Sequence, residues 1–276
     1  MEMKFINNHG KNLVIFFAGW GMDWRPFSHL SGKEHDIAIF FNYTTPNPDI
    51  CNNIDCLPGV LHPECPIHNM VGKYPQINLI AFGAGVWAAS IFFDNYLRHL
   101  SPQSRFRSLR LLKKITKSVA INGTLCPVSN IWGIPQRLFN NTLKELEAEV
   151  SSGKETIHTS KCITKYLQRM CGTGDIYEKY LATQPERGLE DLKNELSALR
   201  DNYIFSNSIF WNKIIIGNND ITIPSKNQKR FWSEYELGID RNNRMAFNAH
   251  DFSIICTEDA HFPFFNWKSW DDPLNL

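Results

Sequence analysis

Asp220 and His261 pair an acid with a base, and the imidazole's pKa near neutrality lets it take a proton from a nucleophile and return it to a leaving group. The position where that nucleophile belongs is Gly83. The run Ile77-Asn78-Leu79-Ile80-Ala81 reads as a short buried strand, breaks at Phe82-Gly83-Ala84-Gly85 and continues as the helical pattern Val86-Trp87-Ala88-Ala89-Ser90. A strand that turns sharply into a helix presents its middle residue on strained backbone angles, and in the motif small-x-Ser-x-Gly that residue is the attacking serine. Ala81, Ala84 and Gly85 supply the small residues such a turn needs. The sequence encodes the elbow and omits its hydroxyl.

Nucleophile position, acid and base occur here in the chain order of the α/β-hydrolases, with the Asp after a late strand and the His after the last one. In that arrangement Asp220 fixes the tautomer of His261 and stabilises its cation. The backbone N–H of Trp20, in the turn Gly19-Trp20-Gly21 after the first core strand, and that of Ala84 would face an oxyanion. Ser90 does not replace the missing hydroxyl, since it lies seven residues on, about two helical turns into the following helix. Cys126, just after Asn122-Gly123-Thr124, is another residue of nucleophilic type, and its simpler reading is a small buried thiol. Cys51, Cys56, His62, Cys65 and His68 crowd one segment. Only Cys65-x-x-His68 has a zinc-like spacing, no matching tight Cys-x-x-Cys accompanies it, and no metal is expected.

The elements that must position these groups alternate short β-rich runs with longer helical patterns, which implies an α/β fold with a mostly parallel sheet flanked by helices. Strands are expected at Asn12 to Ala18, His35 to Tyr43, Ile77 to Ala81, Ser118 to Ile121, Lys213 to Gly217 and Asp251 to Cys256. Residues 46–75, rich in Pro and Cys, follow neither period and read as an irregular insertion. Residues 134–200 carry Leu138, Leu143, Leu146, Leu189, Leu192, Leu196 and Leu199 at helical spacings and read as a helical cap inserted in one domain, 1–276. Leu138, Leu143 and Leu146 are expected to face the elbow and to form an apolar channel.

The chain's 276 residues are 43% hydrophobic, with 19 Phe and 8 Trp, enough to bury one large core and to exclude global disorder. A formal charge of +1 excludes a global pull toward nucleic acid or a membrane surface. The seven cysteines are an odd number, and the opening residues carry no export signal, so reduced thiols in a cytoplasm are expected. No run is long and apolar enough for a membrane span.

The strings Phe17-Ala18-Gly19-Trp20-Gly21, Ala81-Phe82-Gly83-Ala84-Gly85-Val86-Trp87, Ala120-Ile121-Asn122-Gly123-Thr124, Gly133-Ile134-Pro135, Gly217-Asn218-Asn219-Asp220, Asn227-Gln228-Lys229 and His261-Phe262-Pro263-Phe264 together resemble the BioG family of pimeloyl-[acyl-carrier-protein] methyl ester esterases. The resemblance implies an α/β-hydrolase that removes the methyl group from a carrier-bound pimeloyl ester in biotin biosynthesis, without metal or organic cofactor. It also implies an acidic acyl carrier protein as partner, which the basic run Arg98, Arg105, Arg107, Arg110, Lys113, Lys114 and Lys117, free of Asp and Glu, could dock. Family members carry Ser where this chain has Gly83, and this chain is longer around 46–75 and 100–112. Losing a triad nucleophile costs on the order of 10⁶ in turnover. The chain therefore reads as an esterase without its nucleophile or, alternatively, as an impaired pseudo-esterase that binds acylated carrier protein or serves as an interaction protein.

Overall fold

The computed structural model describes residues 1–45, 72–98, 113–201, 211–236 and 252–276. Seven strands form one sheet in the order β1-β3-β2-β4-β5-β6-β7. They are β1 (Glu2–Ile6), β2 (Asn12–Phe17), β3 (His35–Phe41), β4 (Ile77–Phe82), β5 (Ile115–Ile121), β6 (Lys213–Gly217) and β7 (Ser253–Thr257). All neighbouring pairs are parallel except β1 with β3. The central strands read as continuous apolar runs because helices cover both faces, and β3 and β4 are buried along their whole length. Strand β1 escapes sequence reading. It is a charged, mostly exposed edge, a composition that discourages pairing with other chains and hides the alternation.

Helix α1 (Ala84–Arg98) follows the elbow and packs on β2 and β4. Its approach is close: a β-carbon on Gly85 would lie 2.3 Å from the Phe17 carbonyl oxygen, so only glycine fits there. Between β5 and β6 the described chain forms α2 (Gln136–Ser151), α3 (Lys161–Cys171), α4 (Asp175–Ala182) and α5 (Leu189–Asp201), the helices that the sequence reads as a cap. Ser160 caps α3 by accepting the Ile163 N–H at 3.0 Å. Glu149 of α2 reaches the same terminus, accepting the Lys161 N–H at 3.0 Å and the Ser160 hydroxyl. Burial acts to raise the Glu149 pKa, but Ser160, the α3 amides and Lys154 prevail and hold it below its ordinary value. Helix α6 (Ser225–Glu236) follows β6, and a short α7 (Asp271–Asn275) ends the chain.

Residues 46–71 and 99–112 lie outside the described residues, and with them Cys51, Cys56, His62, Cys65, His68, Arg105, Arg107, Arg110 and most of the expected insertion; so does the side chain of Arg98. Lys113, Lys114 and Lys117 stand at the start of β5, at the opposite end of the sheet from the strand ends that follow the elbow. Lys114 donates to the Tyr74 carbonyl at 2.9 Å and Lys117 to that of Leu274 at 3.1 Å. Among the described residues no helix is long and apolar enough to cross a membrane.

Candidate active site

The elbow is built as the sequence implies. Gly83 follows β4 with φ +56°, its N–H donates to the Ile121 carbonyl at 2.9 Å and its carbonyl accepts from Val86 at 3.2 Å. A β-carbon on Gly83 would stand 3.3 Å from Nε2 of His261 and 3.8 Å from Cα of Gly19. The elbow therefore lies between the imidazole and the loop after β2. Gly123, on the next strand end, presses so close that a β-carbon there would lie 2.4 Å from the Gly83 carbonyl oxygen.

Asp220 follows β6 and His261 follows the neighbouring β7. Asp220 Oδ2 accepts from His261 Nδ1 at 2.7 Å. Both residues are buried. A carboxylate only accepts, so the Nδ1 proton points at Asp220 and Nε2, the ring's acceptor, faces Gly83. The acid is held by three further donors: the N–H groups of Thr222 and Ile223 on Oδ1 at 2.9 and 3.0 Å, and Gln228 Nε2 on Oδ2 at 2.7 Å. The imidazole also packs on the Phe82 ring, with centroids 4.8 Å apart.

Two positioning residues were invisible as such in the sequence. Gln228, on α6, is fully buried and bridges Asp220 to the Ile223 carbonyl, which it reaches at 2.7 Å. Asn122, at the end of β5 with φ +46°, sends Nδ2 to the carbonyls of His261 at 2.8 Å and Ala260 at 3.2 Å, and accepts the Gly217 N–H on Oδ1 at 2.7 Å. It clips the acid's strand to the base's loop. The available signal was an Asn directly after an apolar strand, a type that tolerates the left-handed region.

Gly19 to Met22 form a turn closed by the Met22 N–H on the Gly19 carbonyl at 3.4 Å. The Trp20 amide lies in this turn and the Ala84 amide at the start of α1. The Trp20 indole donates to the Leu192 carbonyl of the cap at 3.1 Å and meets Tyr166 edge-on at 4.8 Å between centroids. Beside it a narrow cleft runs between core and cap, lined by Trp20, Gly21, Ile157, Ile163, Tyr166, Leu167, Tyr180, Gln184, Pro185 and Leu192. Burial drives the hydroxyls of Tyr166 and Tyr180 well above the usual tyrosine pKa, so both stay protonated donors.

Leu138, Leu143 and Leu146 do not line this cleft. Leu143 and Leu146 are instead buried within the helices between β5 and β6, where α2 packs on α5 and α3, so they do not form the expected channel, and the narrow cleft is lined by α3 and its flanks. Ser90 sends its hydroxyl to the Val86 carbonyl at 3.2 Å, inside the helix. Cys126 is buried, its N–H held by the Thr124 hydroxyl at 3.2 Å.

Comparison with known proteins gives three findings. The family described as "Pimeloyl-ACP methyl esterase BioG" matches residues 64–241. A malonyl-[acyl-carrier protein] O-methyltransferase of Bacteroides fragilis (strain 638R) is 31% identical over 233 residues; the match takes in 84% of this chain, which spans only 38% of that relative's length. Among solved structures, BioG from Haemophilus influenzae superposes with a TM-score of 0.67 at 23% identity, covering 98% of each chain. An esterase from Thermogutta terrifontis does so at 0.55 and 10% identity, covering 95% of this chain and 86% of the other. The fold is that of the α/β-hydrolase esterases.

Proposed function

The chain belongs to the BioG family, and from that membership we propose that it binds the methyl ester of an acyl group, pimeloyl by family, carried on an acyl carrier protein in biotin biosynthesis, holding the acid–base half of an ester hydrolase without its nucleophile. One observation carries the reading. Nε2 of a His261 already oriented by Asp220 lies 3.3 Å from where a β-carbon at residue 83 would sit. A serine there would complete the triad, and with Gly83 the site can bind an ester but cannot form an acyl-enzyme.

The lining of the cleft at Trp20 is mostly apolar and would receive an acyl chain only once the helices over it move away from the core, and the amides of Trp20 and Ala84 suit the ester oxygen. The Bacteroides relative supports a carrier-bound ester as ligand, since it is named for methylating a carrier-bound acyl group and is long enough to hold a further domain beside the matched region. His261 could draw a proton from water in place of a serine, but an untethered nucleophile forgoes the entropy advantage of a covalently held one, so such turnover is slow. No metal or organic cofactor enters this chemistry, and the cytoplasm is its compartment.

The test is titration of the chain with pimeloyl-carrier-protein methyl ester, the free-acid form and the unacylated carrier, following heat and, by mass spectrometry, loss of the methyl group. Saturable binding that favours the ester, with hydrolysis near background, is expected. Equal affinity for acylated and unacylated carrier would remove the ester from the proposal. Fast hydrolysis would mean that another group attacks.

A further inference from the structure

The turn that carries the Trp20 amide is held from outside the sheet. Each residue from 20 to 23 bonds to one stretch of the cap. The Trp20 indole reaches Leu192 O at 3.1 Å, the Gly21 N–H reaches Glu195 Oε2 at 3.2 Å, Met22 O accepts from Arg187 Nη1 at 3.4 Å and Asp23 Oδ2 accepts from the Glu186 N–H at 3.1 Å. Glu195 is the centre of this stretch and is fully buried. Its Oε1 accepts the Tyr43 N–H at 2.9 Å and its Oε2 also takes Arg187 Nη1 at 2.6 Å. Arg187 is fixed in turn by Asp191, at 2.7 Å from Nε.

We propose that Glu195 is a positioning residue for the oxyanion turn, so that the cap helix α5 sets the geometry of the Trp20 donor. The turn from Gly19 to Met22 has Gly21 at φ +75°. Turns with this closure come in two main types that differ by a flip of the central peptide, here the one joining Trp20 to Gly21. In the observed type the Gly21 N–H faces the Glu195 carboxylate. In the flipped type the Trp20 carbonyl oxygen would face that carboxylate, negative end toward negative charge, in a buried site where such repulsion is poorly screened. Glu195 thus selects one turn. The flip turns the Trp20–Gly21 peptide and not the Gly19–Trp20 peptide that carries the Trp20 N–H, so Glu195 acts on the donor by anchoring the far side of the turn, through the torsions of Trp20 and Gly21 that link the two. An apolar side chain could fill the same space but could not choose between the two peptides.

The kinetic arm of the test rests on the esterase reading; the exchange arm does not. In the chain as it stands, amide hydrogen exchange at Gly21 is measured by NMR for Glu195→Gln. This change keeps the size of the side chain but leaves one oxygen where two are used. Exchange at Gly21 is expected to quicken by at least about tenfold. The control Glu190→Gln, an exposed position on the same helix, should leave it unchanged. Asp191→Asn, at the half-exposed end of the network, should act in the same direction but less, and serves if Glu195→Gln does not fold. With Gly83→Ser added to both, Glu195→Gln should lower kcat by about 10²-fold with little change in KM, the pattern of a misplaced donor. Unchanged exchange at Gly21 in Glu195→Gln overturns the proposal, as does a raised KM with unchanged kcat. If Gly83→Ser alone hydrolyses nothing while exchange behaves as expected, the esterase reading fails and the positioning role of Glu195 stands.

Discussion

Replacing Asn122 by glycine isolates what one side chain does for the acid–base pair. The backbone at φ +46° is open to glycine, so the change adds no strain. It removes three hydrogen bonds, to the carbonyls of His261 and Ala260 and from the Gly217 N–H, at 2.8, 3.2 and 2.7 Å. At about 1 kcal/mol net for each bond, with up to about 1 kcal/mol from the greater freedom of glycine in the unfolded chain, the loss is about 2–4 kcal/mol. For a chain of this size each 1 kcal/mol shifts Tm by about 2–4 °C, so a fall of about 5–15 °C is expected by circular dichroism. The second assay is the proton NMR signal of the His261 Nδ1–H, which the Asp220 carboxylate should hold downfield in the parent and which should broaden or vanish once the loop is unclipped. Asn122→Asp, which faces two carbonyl oxygens with a carboxylate, should do at least as much damage. A Tm within 2 °C of the parent with an unchanged Nδ1–H signal would refute the reasoning.

Four other outcomes follow from buried groups. Burial, with Glu145 and Glu149 adding to it for Cys162, pushes the thiols of Cys162 and Cys171 up to about 12. At pH 8 both should label far more slowly than the exposed Cys256, read by peptide mass spectrometry; equal rates would contradict their burial. Because their folded pKa values exceed that of a free thiol, the unfolded chain releases these protons first, and denaturant melts should show stability falling from about pH 8.5 upward. Gln228→Glu puts a carboxylate against Asp220 Oδ2, which raises the folded pKa of the new group above its free value, so urea unfolding should show a loss of at least about 2 kcal/mol at pH 7 that shrinks as the pH falls toward about 4.3 and changes no further below it; a pH-independent change would argue against that contact. Leu167→Trp, filling the cleft, should weaken binding of the acylated carrier at least about tenfold in calorimetry and leave the unacylated carrier unaffected.

What the sequence disclosed divides by the range of the physics involved. The elbow was legible because a strand, a small-residue turn and a helix lie within about fifteen consecutive residues. Asp220 and His261 were legible because each follows its strand directly. Asn122, Gln228 and Glu195 act on groups that meet them only in the fold, Glu195 at a separation of 174 residues from Gly21, and no local pattern marks such a contact. Helical spacing disclosed the helices between β5 and β6 but not which faces they bury. Leu143 and Leu146 serve the packing of α2 on its neighbours, while Ile163 and Leu167 of α3 face the cleft. Strand β1 was hidden because an edge strand with charged residues carries little apolar period.

The central claim is that the site lacks one hydroxyl and nothing else, and Gly83→Ser tests it most directly. With a β-carbon 3.3 Å from His261 Nε2, a serine hydroxyl can reach hydrogen-bond distance of the base, at a backbone cost of about 1–3 kcal/mol for a side chain at positive φ. The measurement is stopped-flow hydrolysis of a short-chain p-nitrophenyl ester by the parent, by Gly83→Ser and by Gly83→Ser with His261→Ala. The account predicts a gain of about 10⁴-fold or more on adding the serine, a burst of one acyl group per chain, and loss of nearly all the gain when His261 is removed. A folded Gly83→Ser protein with neither gain nor burst would contradict it.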